Sequence, residues 1–215
     1  MKVDRIMVHE GATDRRGEIL AAALKVFEAS GYTATTVDAI AEAAGVAKGS
    51  IYNYFSSKHD LFQQIFTDAM AAAEAEAAPA LAQPIPAAEK ITKVLDYWFS
   101  RLGYYRQIGR LVLEFWVAAA REQQGELAKT LANSYAQWRQ RMAGVLREGI
   151  QEGAFRPDVQ SLVGASLIMA VLDGIEVQLI LGVYQSVDEE FLAALKRAIL
   201  TALAGGRQSD EGGVR

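Results

Sequence analysis

Apolar positions in the first sixty residues recur every three or four residues, which is the spacing of one helix face. In the segment from residue 14 to residue 30 these positions are Ile19, Leu20, Ala23, Leu24 and Phe27. A second, shorter set consists of Val37, Ile40, Ala41 and Ala44. Gly31 and Gly45 follow the two sets, where glycine commonly ends a helix, and Thr36 precedes the second set as its expected N-cap. The pattern predicts two helices, of which the second is short.

A third helix is predicted in the stretch VAKGSIYNYF, from Val46 to Phe55. At about 100° per residue, Ile51 and Phe55 share one face and are suited to packing inward. Tyr52 and Tyr54 then lie on or near the opposite side. Two short helices joined by a tight turn that contains glycine match the helix-turn-helix plan, whose second helix enters the major groove of DNA.

An Ala- and Pro-rich stretch from residue 71 to residue 88 separates this region from the rest of the chain. A longer helix that starts at Lys58 is expected to end there, because Pro79, Pro84 and Pro86 lie close together. Beyond this stretch we predict helices near residues 87–103, 105–121, 126–151, 158–182 and 188–204. The fold class is therefore all-α, with about nine helices in total.

The helical pattern divides the chain into four regions. A helix-turn-helix domain covers residues 1–60, with the recognition helix at about 47–54. A connecting helix and junction occupy residues 61–86, a larger helical domain occupies 87–205, and a flexible tail is expected over 206–215.

The amino-acid composition indicates the fold class and limits the kinds of binding site that the chain can form. With 51% hydrophobic residues, 18 Gly and only 4 Pro among 215 residues, the composition favours an all-α protein. The absence of cysteine excludes disulfides and thiolate metal sites, and His9 and His59 are too far apart in the sequence to suggest a metal site. Net charge is −4, and residues 1–60 hold 7 Lys or Arg against 8 Asp or Glu. Any contact with phosphate must therefore come from local placement of charge.

The amino-terminal residues MKVDRIMVHEGATD lack the apolar stretch of a signal peptide, so we expect a cytoplasmic protein. The segment from Ser161 to Val183 has the length of a membrane span. It contains Asp173, Glu176 and Gln178, which would be costly in hydrocarbon, so a buried helix is the preferred interpretation.

The run TTVDAIAEAAGVAKGSIYNYFSSKHDL, from Thr35 to Leu61, resembles the DNA-binding segment of the TetR family of transcriptional regulators. The run ILAAALKVFEASGY, from Ile19 to Tyr32, is similar to the first helix of that family. Together the two runs cover about the first quarter of the chain. The resemblance implies an all-α homodimer with an amino-terminal helix-turn-helix and a carboxy-terminal bundle that senses a ligand.

The resemblance also implies a set of DNA-binding residues: Thr35, Thr36, Lys48, Gly49, Ser50, Tyr52, Asn53, Tyr54 and Lys58. In the family the positions equivalent to 48–50 meet base edges or nearby phosphates. Positions 52–54 contact phosphates and sometimes bases, position 58 binds a phosphate, and the two threonines hold the DNA backbone from the second helix. His59 stands where the family often has Glu, which we interpret as tolerated variation on an exposed turn.

Elementary chemistry agrees with these roles. Gly49 has no Cβ and lets the helix come close to DNA, while the Ser50 hydroxyl can donate or accept a hydrogen bond. Each tyrosine combines an apolar ring with a hydroxyl that can reach a phosphate oxygen. The alternative for Tyr52 and Tyr54 is packing on neighbouring helices, and for Lys58 an ordinary solvated lysine.

Aromatic residues concentrate in the larger helical domain. Five of them are candidates for a ligand site, namely Trp98, Phe115, Trp116, Tyr135 and Trp138. A mostly apolar cavity with a few polar anchors is the usual form of a small-molecule site, and Arg106, Arg110 and Arg121 lie near these aromatics in the sequence. The alternative is that the aromatics form a packed core, since a helical register alone would explain them.

The last two helices are apolar on nearly every side, from Leu162 to Leu181 and from Phe191 to Leu203. A helix of this kind must be covered on every side. A second copy related by a twofold axis would cover the remaining face, which predicts a homodimer through these helices. The alternative is a thicker monomeric core.

These features predict a ligand-responsive transcriptional regulator. We expect a repressor that binds a palindromic operator in double-stranded DNA as a homodimer and is released by a small, largely apolar or aromatic effector. The alternatives are an activator, a regulator without effector, or a helical small-molecule binder or enzyme whose helix-turn-helix only serves packing. The sequence offers no Ser-His-Asp set, no carboxylate pair with metal-ligand spacing and no Gly-rich phosphate loop, so we predict no catalytic activity and no cofactor.

Overall fold

The computed structural model of the protein describes residues 15–121, 125–184 and 187–204, without the side chains of residues 105 and 107. The described residues form helices and connecting turns, with no strand among them, which confirms the all-α class. The first four helices are α1 (Arg15–Ala34), α2 (Val37–Ala44), α3 (Lys48–Tyr52) and α4 (Lys58–Ala82). The others are α5 (Ala87–Arg121), α6 (Glu126–Gln151), α7 (Ser161–Ile180) and α8 (Glu189–Ala204). The predicted tail over 206–215 and His9 lie outside the described residues.

The ends of the amino-terminal helices follow the capping residues. Gly31 has φ 75° and ψ 165°, so the regular part of α1 stops there and one further turn follows. The Thr36 hydroxyl accepts a hydrogen bond from the Ala39 amide at 3.1 Å, as an N-cap should. Gly45 ends α2 in the left-handed region with φ 64°. The two glycine positions and the N-cap predicted from the sequence are therefore confirmed.

One prediction about helix ends is wrong and another is confirmed. The helices expected over 87–103 and 105–121 are one continuous helix, α5, because a single glycine at position 103 costs only about 1 kcal/mol relative to alanine, which packing can offset. Helix α4 continues past Pro79 and ends at Ala82, before Pro84 and Pro86 and within the stretch 71–88 where its end was predicted.

The chain forms two compact units. The first unit comprises Met1–Pro79 and Arg101–Ala136, and the second comprises Ala80–Ser100 and Gln137–Arg215. Helices α5 and α6 therefore contribute residues to both. The functional boundaries expected at residues 60 and 86 stay a prediction.

The core of the first unit is aromatic. Phe62 makes an edge-to-face contact with Phe27, with 5.5 Å between ring centroids, and Phe66 stacks on Phe115 at 4.1 Å. Such ring pairs add about 0.5–1.5 kcal/mol to the burial of their area. The core joins α1 and α4 to the carboxy-terminal part of α5. This core holds together the helices that support the helix-turn-helix.

The core of the second unit is aliphatic and draws on α5, α6, α7 and α8. Its buried members include Ile91, Leu95, Met142, Leu146, Ala165, Ile168 and Leu203. Helix α7 turns one side to this core, while Leu162, Val163 and Leu167 on the same helix are exposed. By length and hydropathy alone α7 could cross a membrane, but residues of one side are buried in the protein.

Candidate DNA-binding surface and effector residues

Helix α3 is held by two buried side chains on its inner face. Ile51 and Phe55 are almost fully buried, as the helical spacing predicts. The amide groups of Tyr54 and Phe55 donate to the Ile51 carbonyl at 3.0 Å, so the chain turns tightly directly after the helix. This anchoring leaves the opposite side of α3 available for contact with another molecule.

The outer side of α3 carries polar and aromatic groups. The exposed fractions of Tyr52 and Tyr54 are 50% and 47%, so neither ring packs fully on a neighbouring helix. Asn53 and Gly49 are also exposed, and Ser50 is half-buried. A Cβ added at Gly49 would meet nothing within 4 Å, so the protein's own packing does not require glycine there. The surface fits a partner that approaches the backbone closely.

Lys48 forms an exposed ion pair at the start of α3. Its Nζ lies 2.8 Å from a carboxylate oxygen of Asp38, which belongs to the first turn of α2. The hydrogen bond to Asp38 raises the pKa of Lys48, and the charge of Asp38 adds to the effect. The ammonium therefore stays protonated and is placed beside the exposed tyrosines.

The two predicted threonines occupy different environments. Thr36 is exposed at the amino terminus of α2. Thr35 is buried, and its hydroxyl donates to the Gly31 carbonyl at 2.7 Å. Of the two, only Thr36 presents its side chain to solvent, and Thr35 instead fixes the turn between α1 and α2.

Lys58 has partners that sequence reasoning missed. Its Nζ donates to the carbonyls of Tyr32 and Thr35, both at 2.8 Å, and lies 3.4 Å from the Thr33 carbonyl. It also lies 4.5 Å from the centroid of the Tyr32 ring. An ammonium has three donors, so the carbonyls of one turn can engage all of them. The ring of His59, on the same helix, packs edge-on against Tyr32 with 6.5 Å between centroids.

The five effector candidates divide between the two units. Phe115, Trp116 and Tyr135 belong to the first unit, and Trp98 and Trp138 belong to the second. Phe115 is almost fully buried and stacks on Phe66, which supports the alternative of core packing for this residue. The other four are half-buried, and Trp98 packs against the aliphatic core and the edge of Phe99.

Arg101 and Glu176 are two of the buried charged residues among those that the structure describes. In the first unit, the guanidinium of Arg101 is buried and forms an ion pair with Glu76. In the second unit, burial in α7 raises the pKa of Glu176 to about 7, and the negative charge of Asp173 adds to the effect. Among the described residues, no group of three or more His, Asp or Glu side chains is arranged to hold a metal ion.

Comparison with known proteins decides the family. The profile described as bacterial regulatory proteins, tetR family, matches residues 19–65, and that of the BetI-type transcriptional repressor, C-terminal, matches residues 87–205. The chain belongs to the TetR family. The resemblance inferred from the helix-turn-helix residues is thereby confirmed, and the chain is a DNA-binding transcriptional regulator of the repressor type.

Relatives across the family share most of the chain length. The HTH-type transcriptional regulator YhgD of Bacillus subtilis is 28% identical over 190 residues, which are 85% of this chain and 92% of YhgD. The transcriptional repressor KstR2 of Mycobacterium tuberculosis is 30% identical over 153 residues, which are 67% of this chain and 71% of KstR2. The structure of FadR from Bacillus subtilis in complex with stearoyl-CoA matches with a TM-score of 0.66 and 23% identity, over 88% of this chain and 98% of FadR, which establishes similarity of fold.

Proposed function

We propose that the protein is a cytoplasmic repressor that binds a palindromic operator as a homodimer and leaves it when a small apolar effector binds. The observation that carries the DNA-binding half is the exposed outer side of α3. This short helix is anchored by Ile51 and Phe55, and it presents Tyr52 and Tyr54 to a partner outside the chain.

In this proposal the residues of α3 and of the turn after it divide between base edges and the DNA backbone. Lys48, Gly49 and Ser50 meet base edges and nearby phosphates, whereas Tyr52, Asn53 and Tyr54 contact phosphates. Thr36 adds a backbone contact at the amino terminus of α2, where the helix dipole favours an anion. The carbonyl contacts of Lys58 and the burial of Thr35 favour positioning roles for these two residues.

The proposed homodimer uses α7 and α8. Exposed apolar side chains follow one side of α7, at Val163, Leu167 and Val171, and Leu162 is exposed at the start of the helix. A contiguous apolar surface of this kind is commonly an interaction site. A second copy related by a twofold axis would cover it. Binding to successive major grooves requires the two recognition helices of the dimer to lie about 34–36 Å apart, which is one turn of DNA.

The proposed effector has a long apolar part and is of the acyl-CoA class. The support is a half-buried aromatic pair in each unit, Trp116 and Tyr135 in the first and Trp98 and Trp138 in the second, together with relatives whose names refer to fatty acid metabolism and to a stearoyl-CoA complex. A ligand shifts a regulator only by the difference between its affinities for the DNA-binding and the released states. The effector must therefore bind the released state more tightly.

Fluorescence anisotropy tests both halves. Purified protein is titrated into labelled DNA from upstream of its own gene, at low and at moderate ionic strength, with and without stearoyl-CoA. We expect sequence-selective binding that stearoyl-CoA weakens, and loss of binding in Asn53→Ala and Tyr52→Ala. Gln140→Ala, an exposed position on α6, is the matched control and should bind normally. Indifference to all genomic fragments would refute the DNA-binding half, and binding that stearoyl-CoA and related thioesters leave unchanged would refute the effector class.

The direction of regulation needs a separate measurement. Reporter expression from the bound promoter, compared in cells with and without the gene, distinguishes a repressor from an activator. A repressor predicts higher expression in the deletion strain, and lower expression there would identify an activator.

A further inference from the structure

The turn between α1 and α2 is fixed by charged side chains from two other helices. We propose that Glu114 of α5 is a positioning residue for DNA binding: it holds the backbone of Tyr32 and thereby sets the orientation of α2 and α3. The inference rests on the proposed function, since it assigns a role in operator binding to a residue outside the helix-turn-helix.

The Glu114 carboxylate bridges α5 and the turn. One oxygen accepts a hydrogen bond from the Tyr32 amide at 2.8 Å, across 82 positions of sequence. The other oxygen lies 3.3 Å from Nε of Arg110, one turn earlier in α5. An ionised acceptor makes a shorter and stronger hydrogen bond than a neutral one. The contact therefore ties the backbone of the turn to α5.

Lys58 holds the same residue from the other side. Its ammonium donates a hydrogen bond to the Tyr32 carbonyl, while the Glu114 carboxylate accepts one from the Tyr32 amide. The Tyr32 ring meanwhile packs on Phe62, with 4.5 Å between centroids. The amide of Tyr32 is thus bound by α5, its carbonyl is bound by α4, and its ring packs in the aromatic core of the first unit. A residue held in this way has little freedom to rotate.

The backbone conformation of the preceding position restricts the path of the turn. Gly31 has φ 75° and ψ 165°, a conformation that residues with a Cβ rarely adopt. Thr36, the N-cap of α2, follows Tyr32 after only three residues. A displaced turn would therefore move the amino terminus of α2, and α3 with it.

The direction in which DNA affinity changes when Glu114 is replaced distinguishes a positioning role from a direct electrostatic effect. Glu114 is negative, so it repels phosphate, and removing its charge should by itself strengthen DNA binding. The proposal predicts the opposite result for any variant that also removes the acceptor. Glu114→Ala should weaken operator binding by about tenfold, because the part-buried amide of Tyr32 loses its partner and the turn loosens.

The conservative variant separates the acceptor from the charge. Glu114→Gln keeps an oxygen within reach of the Tyr32 amide and removes the charge, so it should bind operator as well as the wild type or better. Glu114→Leu keeps the volume but lacks an acceptor, so it should resemble Glu114→Ala and replaces that variant if alanine impairs folding. Glu126→Ala is the matched control, because it removes an exposed carboxylate of the same unit that pairs with Lys129.

The experiment measures operator affinity over a range of salt concentrations, together with hydrogen exchange of the Tyr32 amide in the full-length protein. We expect weaker binding with an unchanged salt dependence and faster exchange in Glu114→Ala and Glu114→Leu, with both restored in Glu114→Gln. This inference is overturned if the alanine and leucine variants bind operator with wild-type affinity, or if the glutamine variant binds as weakly as the alanine and leucine variants. Neither result would affect the proposed function. A wild-type protein that binds no DNA overturns the proposed function as well.

Discussion

The ammonium of Lys48 and the carboxylate of Asp38 form an ion pair beside the proposed DNA surface. Exposed pairs of this kind contribute little to stability, so a phosphate can replace Asp38 at little cost. Removal of Asp38 would leave the same ammonium with no competing carboxylate. The pair therefore adjusts affinity for DNA without stabilising the fold appreciably.

Replacing Lys48 with alanine should reduce the salt dependence of operator binding. Each phosphate contact that is lost lowers the slope of log K against log salt concentration by about 0.9, because one fewer counterion is released. Anisotropy titrations at several salt concentrations measure the slope. Lys129→Ala, which removes an exposed lysine with a similar ion pair on α6, is the control and should leave the slope unchanged. An unchanged slope in Lys48→Ala would show that this lysine does not reach a phosphate.

Glu176 should make the protein less stable as the pH rises. Its pKa is raised from 4.5 to about 7 in the fold, so the unfolded chain ionises first. Stability is fully present below pH 4.5 and decreases until about pH 7, by about 3 kcal/mol for a shift of this size. Glu176→Gln should remove this decrease and give its largest gain at pH 8. Urea unfolding at pH 5 and pH 8 tests the expectation.

The control for this pH effect is Glu126→Gln. A hydrogen bond from Lys129 lowers the pKa of Glu126, so the variant should not flatten the decrease between pH 5 and pH 8. If Glu176→Gln were as stable as the wild type at both pH values, the carboxyl would not be held in a low-dielectric environment.

Single residues also show what the sequence can predict. The inward side chains Ile51 and Phe55 and the N-cap Thr36 follow from spacing and residue type, because their roles are local. The partners of Lys58 do not follow, because they are backbone carbonyls 23 to 26 positions away. Only the path of the turn brings those carbonyls to the lysine.

Among the helices, α5 shows how poorly a sequence pattern locates helix ends. The pattern predicts separate helices over 87–103 and 105–121, yet both segments lie within the continuous helix α5. Helix ends depend on what the neighbouring segments can pack against, and sequence patterns carry that information poorly. The boundaries of α6, in contrast, agree with the prediction of 126–151.

Gly103→Ala should stabilise α5. The position is helical, and an added Cβ would meet nothing within 4 Å, so the variant gains about 0.5–1 kcal/mol in the free energy of unfolding. Gly149→Ala is the contrasting variant, because its Cβ would lie 2.1 Å from the Phe155 ring. We expect it to lower stability. Thermal or urea unfolding measures both, and a destabilised Gly103→Ala would mean that α5 bends or opens at this position.

At the scale of the whole molecule, the family could be predicted from a run of 27 residues, Thr35 to Leu61, because a local sequence motif identifies it. The division of the aromatic candidates between two units was not, since it depends on packing between residues far apart in the sequence. Phe115 illustrates the difference. Its place in the aromatic cluster was compatible with a ligand site or with a core, and its stacking on Phe66 favours the core.

Leu167→Glu should convert the proposed dimer into monomers. Leu167 is 62% exposed on α7, and a carboxylate there would be buried without a partner in a twofold interface. Size-exclusion chromatography with light scattering measures the mass, and operator affinity should fall because the two half-sites would bind separate chains. Val117→Glu, at an exposed apolar position of α5, is the control and should stay dimeric. A dimeric Leu167→Glu protein would place the interface elsewhere.

The open space beside Gly49 has a genetic consequence. Replacement of Gly49 by a bulky residue should yield protein of normal abundance that no longer binds its operator. The fold has space for the larger side chain, whereas the DNA groove does not. Such subunits would still pair with wild-type copies and sequester them in inactive heterodimers. Mutations at codon 49 should therefore derepress target genes even in cells that keep an intact copy of the gene.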